Sequence, residues 1–401
     1  MARNQRNQRA GDSLYRSRSR NAAGAPRPMD EAGKEERRRR QIRSWIIVVA
    51  VIVAVLIGYR FLRGGGTREA AASKLPCYAG QSVTPFGDGI LYYDGASLHC
   101  LSSAGTIRWS FPAGAEAYFY AGPTHVAIWS GMQMYLVDQN GNATYNESME
   151  GTVQFVRVGE RYCAAVVGED TEPKLIVKDL KGSQVDTEVE AFSGLMILDT
   201  GFFGDQGDYL WTLSLDVYGT AANTILNTFQ VGKMNTGEVS LGSALAYKVL
   251  YENARLRVFN TQQCYTYDYK CVQDTNATML VYGWKLIDYE IPERGSAKML
   301  LAPTSQTSSA QTITELRVLE GSTDKRYTLP TSCVGACIWK GNIYAFSGEY
   351  LYRADVNSQR FFVTGIPVPQ NTVITAFYGI TTDGRALLAA GENMFSLSLP
   401  R

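Results

Sequence analysis

A chain of 401 residues, 45% hydrophobic and 19% charged, has ordinary globular composition and ample length for a full core, so disorder of the whole chain is excluded. The net charge of +1 conceals an asymmetry: residues 1–44 hold 13 Arg and Lys against 5 Asp and Glu, while the rest of the chain holds 26 against 33. Two differently charged compartments are implied.

Residues 1–44 contain almost no large apolar side chains and cannot bury enough surface to fold. They are predicted to form a disordered basic tail to about Glu35, after which KEERRRRQIR extends the next element. Arginine at this density suits anionic lipid or nucleic acid, at about 1 kcal/mol per basic residue near a membrane surface. The simpler reading is a topology determinant with incidental contact to anionic lipid and no specific nucleic-acid role.

Residues 45–62, WIIVVAVIVAVLIGYRFL, open with 13 uninterrupted apolar residues and carry one charge, Arg60. Eighteen helical residues at ~1.5 Å each span roughly 27 Å, close to the hydrocarbon thickness of a bilayer. This predicts a single transmembrane helix, with Arg60 snorkelling and Trp45 and Tyr59 as interfacial anchors. Arg37 to Arg40 and Arg43 crowd the near side, so the N-terminus is expected in the cytoplasm and the main domain outside the cell membrane. A cleaved signal is disfavoured by the 44-residue leader and by small residues that come only at 70–73. A lipoprotein is disfavoured by Leu75 and Pro76 before Cys77.

Residues 63–73, with Gly64, Gly65 and Gly66, read as a linker, and 74–401 as the extracytoplasmic domain. There a unit recurs: an aromatic and β-branched run, a polar step, a second run, then a turn rich in Gly or Asn. The first copy is GILYYDG (89–95), SLHCLSSAG (97–105) and TIRWSF (106–111). The closing turns at Gly105, Gly141, Gly182, Gly237, Gly321 and Asn357 are 36, 41, 55, 84 and 36 residues apart. The 84-residue gap is two units, with Asp274-Thr275-Asn276 where the missing turn falls. A period near 40 with four strands per repeat predicts an all-β fold, a β-propeller of eight blades, or seven if 237–321 is one blade with an insertion. The last copy, 384–400, stops before its outermost strand, which residues 74–84 can supply, closing the ring with both chain ends in one blade.

The order of aromatic second strand, Gly turn and Trp in the fourth strand, as in LYYDGASLHCLSSAGTIRWSF, resembles the quinoprotein-like (PQQ-like) propeller repeat. The whole chain is similar to a family of single-pass clostridial membrane proteins of unknown function. That resemblance implies a Gram-positive cell envelope and no activity.

Chemistry-bearing patterns are sparse. His99 and His125 have no Cys, Asp or Glu at metal-ligand spacing, so no metal is expected. No nucleophile elbow or phosphate loop occurs. Asp205 with Asp208, Glu169 with Asp170, and Glu290 with Glu293 read first as solvated loop charge, and otherwise as glycosidase-like or calcium-binding pairs. The quinone cofactor of PQQ enzymes is not expected, because no adjacent cysteine pair is present. Of the seven cysteines, Cys264 and Cys271 are placed to face each other across a hairpin centred on Tyr267 and Asp268, and buried free thiols are the default for all. The ligand-binding candidates are Phe202, Phe203 and Tyr209, in DTGFFGDQGDYLW, which reads as the longest loop departing from the repeat. No catalytic residue is assigned. The expected function is a membrane-anchored binding or scaffold module for an envelope protein or glycan. The alternatives are a glycan-acting envelope enzyme and a transmembrane sensor.

Overall fold

The computed structural model describes residues 45, 48, 49, 51, 52, 70–188, 192–304 and 312–400. The chain divides into two units, Met1–Gly66 and Thr67–Arg401. Of the first, the described residues Trp45, Val48, Val49, Val51 and Ile52 are helical and exposed. The basic tail, residues 63–69 of the linker and most of the 45–62 span lie outside the described residues. Among the described residues no helix is long and apolar enough to cross a membrane.

The second unit is eight four-stranded antiparallel sheets. Seven are built from consecutive strands: blade 1 (82–112), blade 2 (118–148), blade 3 (153–188), blade 4 (195–242), blade 5 (246–280), blade 6 (284–333) and blade 7 (335–365). Blade 8 takes its three inner strands from 376–398 and its outermost from Ala72–Tyr78, which pairs antiparallel with Asn393–Ser398 through Ala72↔Leu397 and Lys74↔Phe395. The eight-blade prediction and the closure by the first strand both hold. Closure leaves no open edge between the first and last blades.

The core divides into eight apolar clusters, each drawing on two successive blades. Blades pack face to face, so their middle strands are covered on both faces. Ile90 and Leu91 in blade 1, and Ile343, Tyr344 and Ala345 in blade 7, are consecutive residues with no solvent exposure. Burying a side chain such as Leu98 is worth about 2 kcal/mol.

The turn between third and fourth strands repeats one local geometry. Asp138 Oδ1 accepts the N–H groups of Asn140 and Asn142, both at 2.8 Å, and Asp179 accepts those of Lys181 and Ser183 at 2.9 and 2.8 Å. Burial would raise these carboxyls, but the N–H groups outweigh it and hold both below their ordinary range. The turn then needs a left-handed residue, Gly141 (φ +86°) or Gly182 (φ +94°). That glycine also seats the neighbouring blade. Trp109 lies where a Cβ on Gly141 would go, and donates its indole N–H to Gln139 O at 2.9 Å, while Tyr145 covers Gly182 in the same way.

Two turn positions differ from expectation. Gly237 lies inside the outer strand Met234–Gly242 of blade 4, and the turn before that strand has Gly232 at φ +72°. In blade 5 the turn is at Asp268, whose Oδ1 accepts from Lys270 and Val272 at 2.9 Å, with Cys271 in the left-handed position at φ +58°. Asp274 instead caps a short 3-10 turn, Thr275–Ala277. With cysteine in the glycine position, the blade 5 turn carries no punctuation to read.

All seven cysteines are free and buried. Cys264 packs with Phe259, Val281 and Met299 between blades 5 and 6, whereas Cys271 packs with Trp211, Leu226 and Tyr267 between blades 4 and 5. They sit against different neighbouring blades, which is why the hairpin bridge does not form.

Candidate ligand-binding face

The innermost strands line the channel, and three carry bulges beside charged residues: at Asp199 in blade 4, Lys248 in blade 5 and Asp288 in blade 6. A bulge re-aims the side chain next to it. Asp199 Oδ1 accepts from Arg157 Nε of blade 3 at 2.8 Å, and the same guanidinium lies 4.7 Å from the Tyr120 ring of blade 2. Lys248 Nζ lies 5.5 Å from the Tyr289 ring of blade 6. These side chains, with Phe202, line a cavity of about 670 Å³ to which blades 2 to 6 contribute. Burial pushes the Tyr120 and Tyr289 hydroxyls up, so both remain neutral donors.

Asp288 turns away from this chemistry. Its Oδ2 accepts the Ile338 N–H of blade 7 at 2.8 Å, and Glu290 Oε2 accepts the Gly341 N–H at 2.9 Å. Both carboxylates tie blade 6 to blade 7. Burial raises the Asp288 carboxyl to about 6, against the opposing N–H groups of Ile338 and Tyr289, and Glu290 adds to the rise.

The candidates Phe202, Phe203 and Tyr209 are not on a long loop. DTGFFGDQGDYLW is the end of strand Leu195–Phe203, a turn at 204–208 and the start of strand Tyr209–Asp216, paired through Phe203↔Tyr209. Gly204 and Gly207, both at positive φ, close the turn with a 3.0 Å N–H···O bond. Phe202 packs on Gly159 and tilts against Tyr162 at 6.1 Å, facing the larger cavity. Phe203 and Tyr209 are brought together, with ring centroids 5.3 Å apart.

They meet two residues that sequence reasoning missed. Tyr251 lies 5.5 Å from Phe203, and Tyr269 stands edge-on to Tyr209 at 5.8 Å. The four rings, with Asp205 and Asp208, enclose a second pocket of about 310 Å³ between blades 4 and 5. It adjoins the channel cavity, since Phe203, Asp205 and Tyr251 line both. All four rings sit at the end of the ring where first strands turn into second and third into fourth. That placement is the signal that finds Tyr251 and Tyr269, and it requires the strand order of blade 5.

None of the remaining candidates lines either pocket. Glu169 and Asp170 lie at the turn between the second and third strands of blade 3, at the opposite end. His99 bridges Asp94 Oδ2 and Ser110 Oγ, each at 2.7 Å, and stacks on Tyr92. The His99 bond and the N–H groups of Ser97 and Ala96 lower the Asp94 carboxyl to about 2. His125 bonds its neighbour Thr124, and burial lowers its pKa. Among the described residues no group of three His, Cys, Asp or Glu is set to hold a metal.

No family model matches the chain, and no curated protein matches it in sequence. Solved structures do resemble it. Sqt1 of Saccharomyces cerevisiae superimposes with a TM-score of 0.53 at 9% identity, covering 82% of this chain and 100% of that one. BamB of Moraxella catarrhalis gives a TM-score of 0.47 at 8% identity, covering 82% and 96%. BBS1N, solved in complex with ARL6DN, gives 0.44 at 13% identity, covering 82% and 93%. At such identities the likeness to Sqt1 shows the β-propeller fold alone.

Proposed function

We propose that the chain is a membrane-anchored recognition module of the cell envelope, held by the 45–62 span and presenting its propeller to an extracytoplasmic protein or glycan. One observation carries the reading. Five blades converge on the cavity of about 670 Å³, and the aromatic pocket opens beside it, so one end of a rigid ring offers continuous concave surface with mixed chemistry. Charges there are largely spent on one another or on rings, as in Arg157 with Asp199 and Lys248 over Tyr289, which suits binding. The apolar span and the arginines before it support the anchor and its orientation.

The test is site-specific photo-crosslinking of the full chain in cells, with a benzophenone residue placed at exposed Gln206 on the rim of the aromatic pocket or at exposed Tyr218 on the opposite end of the ring. The expected result is a discrete adduct from position 206 and none from 218. Equal yields from both ends, or no adduct from either, would remove the reading. Deleting residues 45–62 should release the protein from sedimented membranes, and continued sedimentation would remove the anchor.

A further inference from the structure

We propose that the pocket between blades 4 and 5 receives an organic cation, the guanidinium or ammonium group of an Arg or Lys side chain on a partner protein. This rests on the recognition reading and names the chemistry of its partner.

Three features converge. The rings of Phe203, Tyr209, Tyr251 and Tyr269 are not coplanar: Phe203 is inclined at 35° to Tyr209 and 51° to Tyr251, and Tyr209 at 64° to Tyr269. They form the inclined walls of an open pocket, whereas a sugar ring stacks best on a flat exposed platform. The volume of about 310 Å³ has room for a whole Arg or Lys side chain with solvent around it. Aromatic faces carry negative potential and attract a cation within about 6 Å, an interaction that strengthens as water is excluded.

The charge at the pocket has the matching sign. Asp205 and Asp208 line it, and no Lys, Arg or His does. Arg255, next to the lining residue Ala254, is directed to Asp268 at 4.0 Å. Lys270 already lies 5.5 Å from the Tyr269 ring, so one of these rings accepts a cation within the protein itself. The Tyr251 hydroxyl, raised first by burial, is raised further by the charges of Asp205 and Asp208, which locates their field inside the pocket.

The experiment is ligand-observed saturation-transfer NMR on the full chain in detergent micelles, with empty micelles as blank. The probes are Nα-acetyl-arginine amide, its uncharged isostere Nα-acetyl-citrulline amide, and a neutral disaccharide. Saturable binding of the arginine probe in the millimolar range is expected, with citrulline weaker by about tenfold or more. The D205N/D208N double variant and Y269A should each weaken the arginine probe by about fivefold or more. Both alter exposed or half-exposed positions, and an unchanged melting temperature verifies folding. Equal binding of citrulline, preference for the disaccharide, or no saturable arginine signal would overturn the proposal. A crosslinked partner at position 206 without cation binding would leave the recognition reading standing and this assignment refuted. Cation binding without any crosslink would support this site and count against the partner.

Discussion

Gly237 in the outer strand of blade 4 lies against the backbone of Lys270 in the blade 5 turn, so closely that a Cβ on residue 237 would be 2.4 Å from the Lys270 carbonyl carbon and oxygen. The relation inverts the one between blades 1 and 2, where Trp109 sits on Gly141. At one junction the large residue is on the strand and the glycine in the turn. At the other, glycine is on the strand and the turn has Cys271. Thr228 Oγ1 completes the second junction by donating to Tyr269 O at 2.8 Å.

This inversion predicts that Gly237→Ala lowers stability by about 2 kcal/mol, since the clash is with backbone that cannot rotate away. Restoring glycine in the turn with C271G should not rescue it, because the obstructing atoms belong to Lys270. Thermal unfolding of the two single variants and the double variant measures this. Rescue to wild-type stability would show that the Cys271 side chain had set the spacing.

Trp109 makes the opposite junction, and its indole N–H reaches Gln139 O at 2.9 Å. Trp109→Phe removes the hydrogen bond and leaves most of the ring on Gly141, an expected loss of about 1 kcal/mol. Trp109→Ala empties the seat as well and should cost about 3 kcal/mol, the same order as other Trp truncations in packed sites. Denaturant unfolding gives both values. Equal losses would mean that ring packing contributes nothing there.

The ring was legible because a left-handed glycine recurs in the turn between third and fourth strands, at Gly105, Gly141 and Gly182, and because the last copy lacked an outer strand while a spare strand preceded the first. The misplaced turns have a local cause. Cys271 adopts the backbone conformation that Gly141 and Gly182 adopt, so the glycine rhythm fails in blade 5, and Gly237 is a packing glycine instead of a turn glycine. The candidate site was half legible for a different reason. Phe203 and Tyr209 face each other across one tight turn and are close in sequence. Tyr251 and Tyr269 reach them only through the packing of blade 5 on blade 4, which no local pattern encodes.

The seven buried thiols should be inert in the folded protein. Burial pushes Cys264 up to about 12 and Cys271 up to about 11, so neither forms appreciable thiolate at neutral pH. A thiol-specific chromogenic reagent is expected to find no reactive cysteine under native conditions and all seven in guanidinium chloride. Fewer than seven after unfolding, recovered by reductant, would reveal a disulfide.

Asp288 predicts a pH dependence opposite to that of most carboxylates. Its folded pKa, about 6, lies above the ordinary value of 3.8, so between those values the native state holds more proton than the unfolded state. Its contribution is therefore fully present below pH 3.8 and is lost as pH rises through 6, costing about 3 kcal/mol by pH 7. Asp94, lowered to about 2, acts in the other direction in more acid solution, so the Asp288 effect must be taken as a difference between two proteins. D288N keeps an oxygen for the Ile338 N–H and carries no charge at any pH. It should match wild type near pH 4 and exceed it by about 2–3 kcal/mol at pH 7 in denaturant unfolding. A D288N protein less stable than wild type at pH 7 would mean that the ionised carboxylate, held by two backbone N–H groups, is worth more to the junction of blades 6 and 7 than its burial costs.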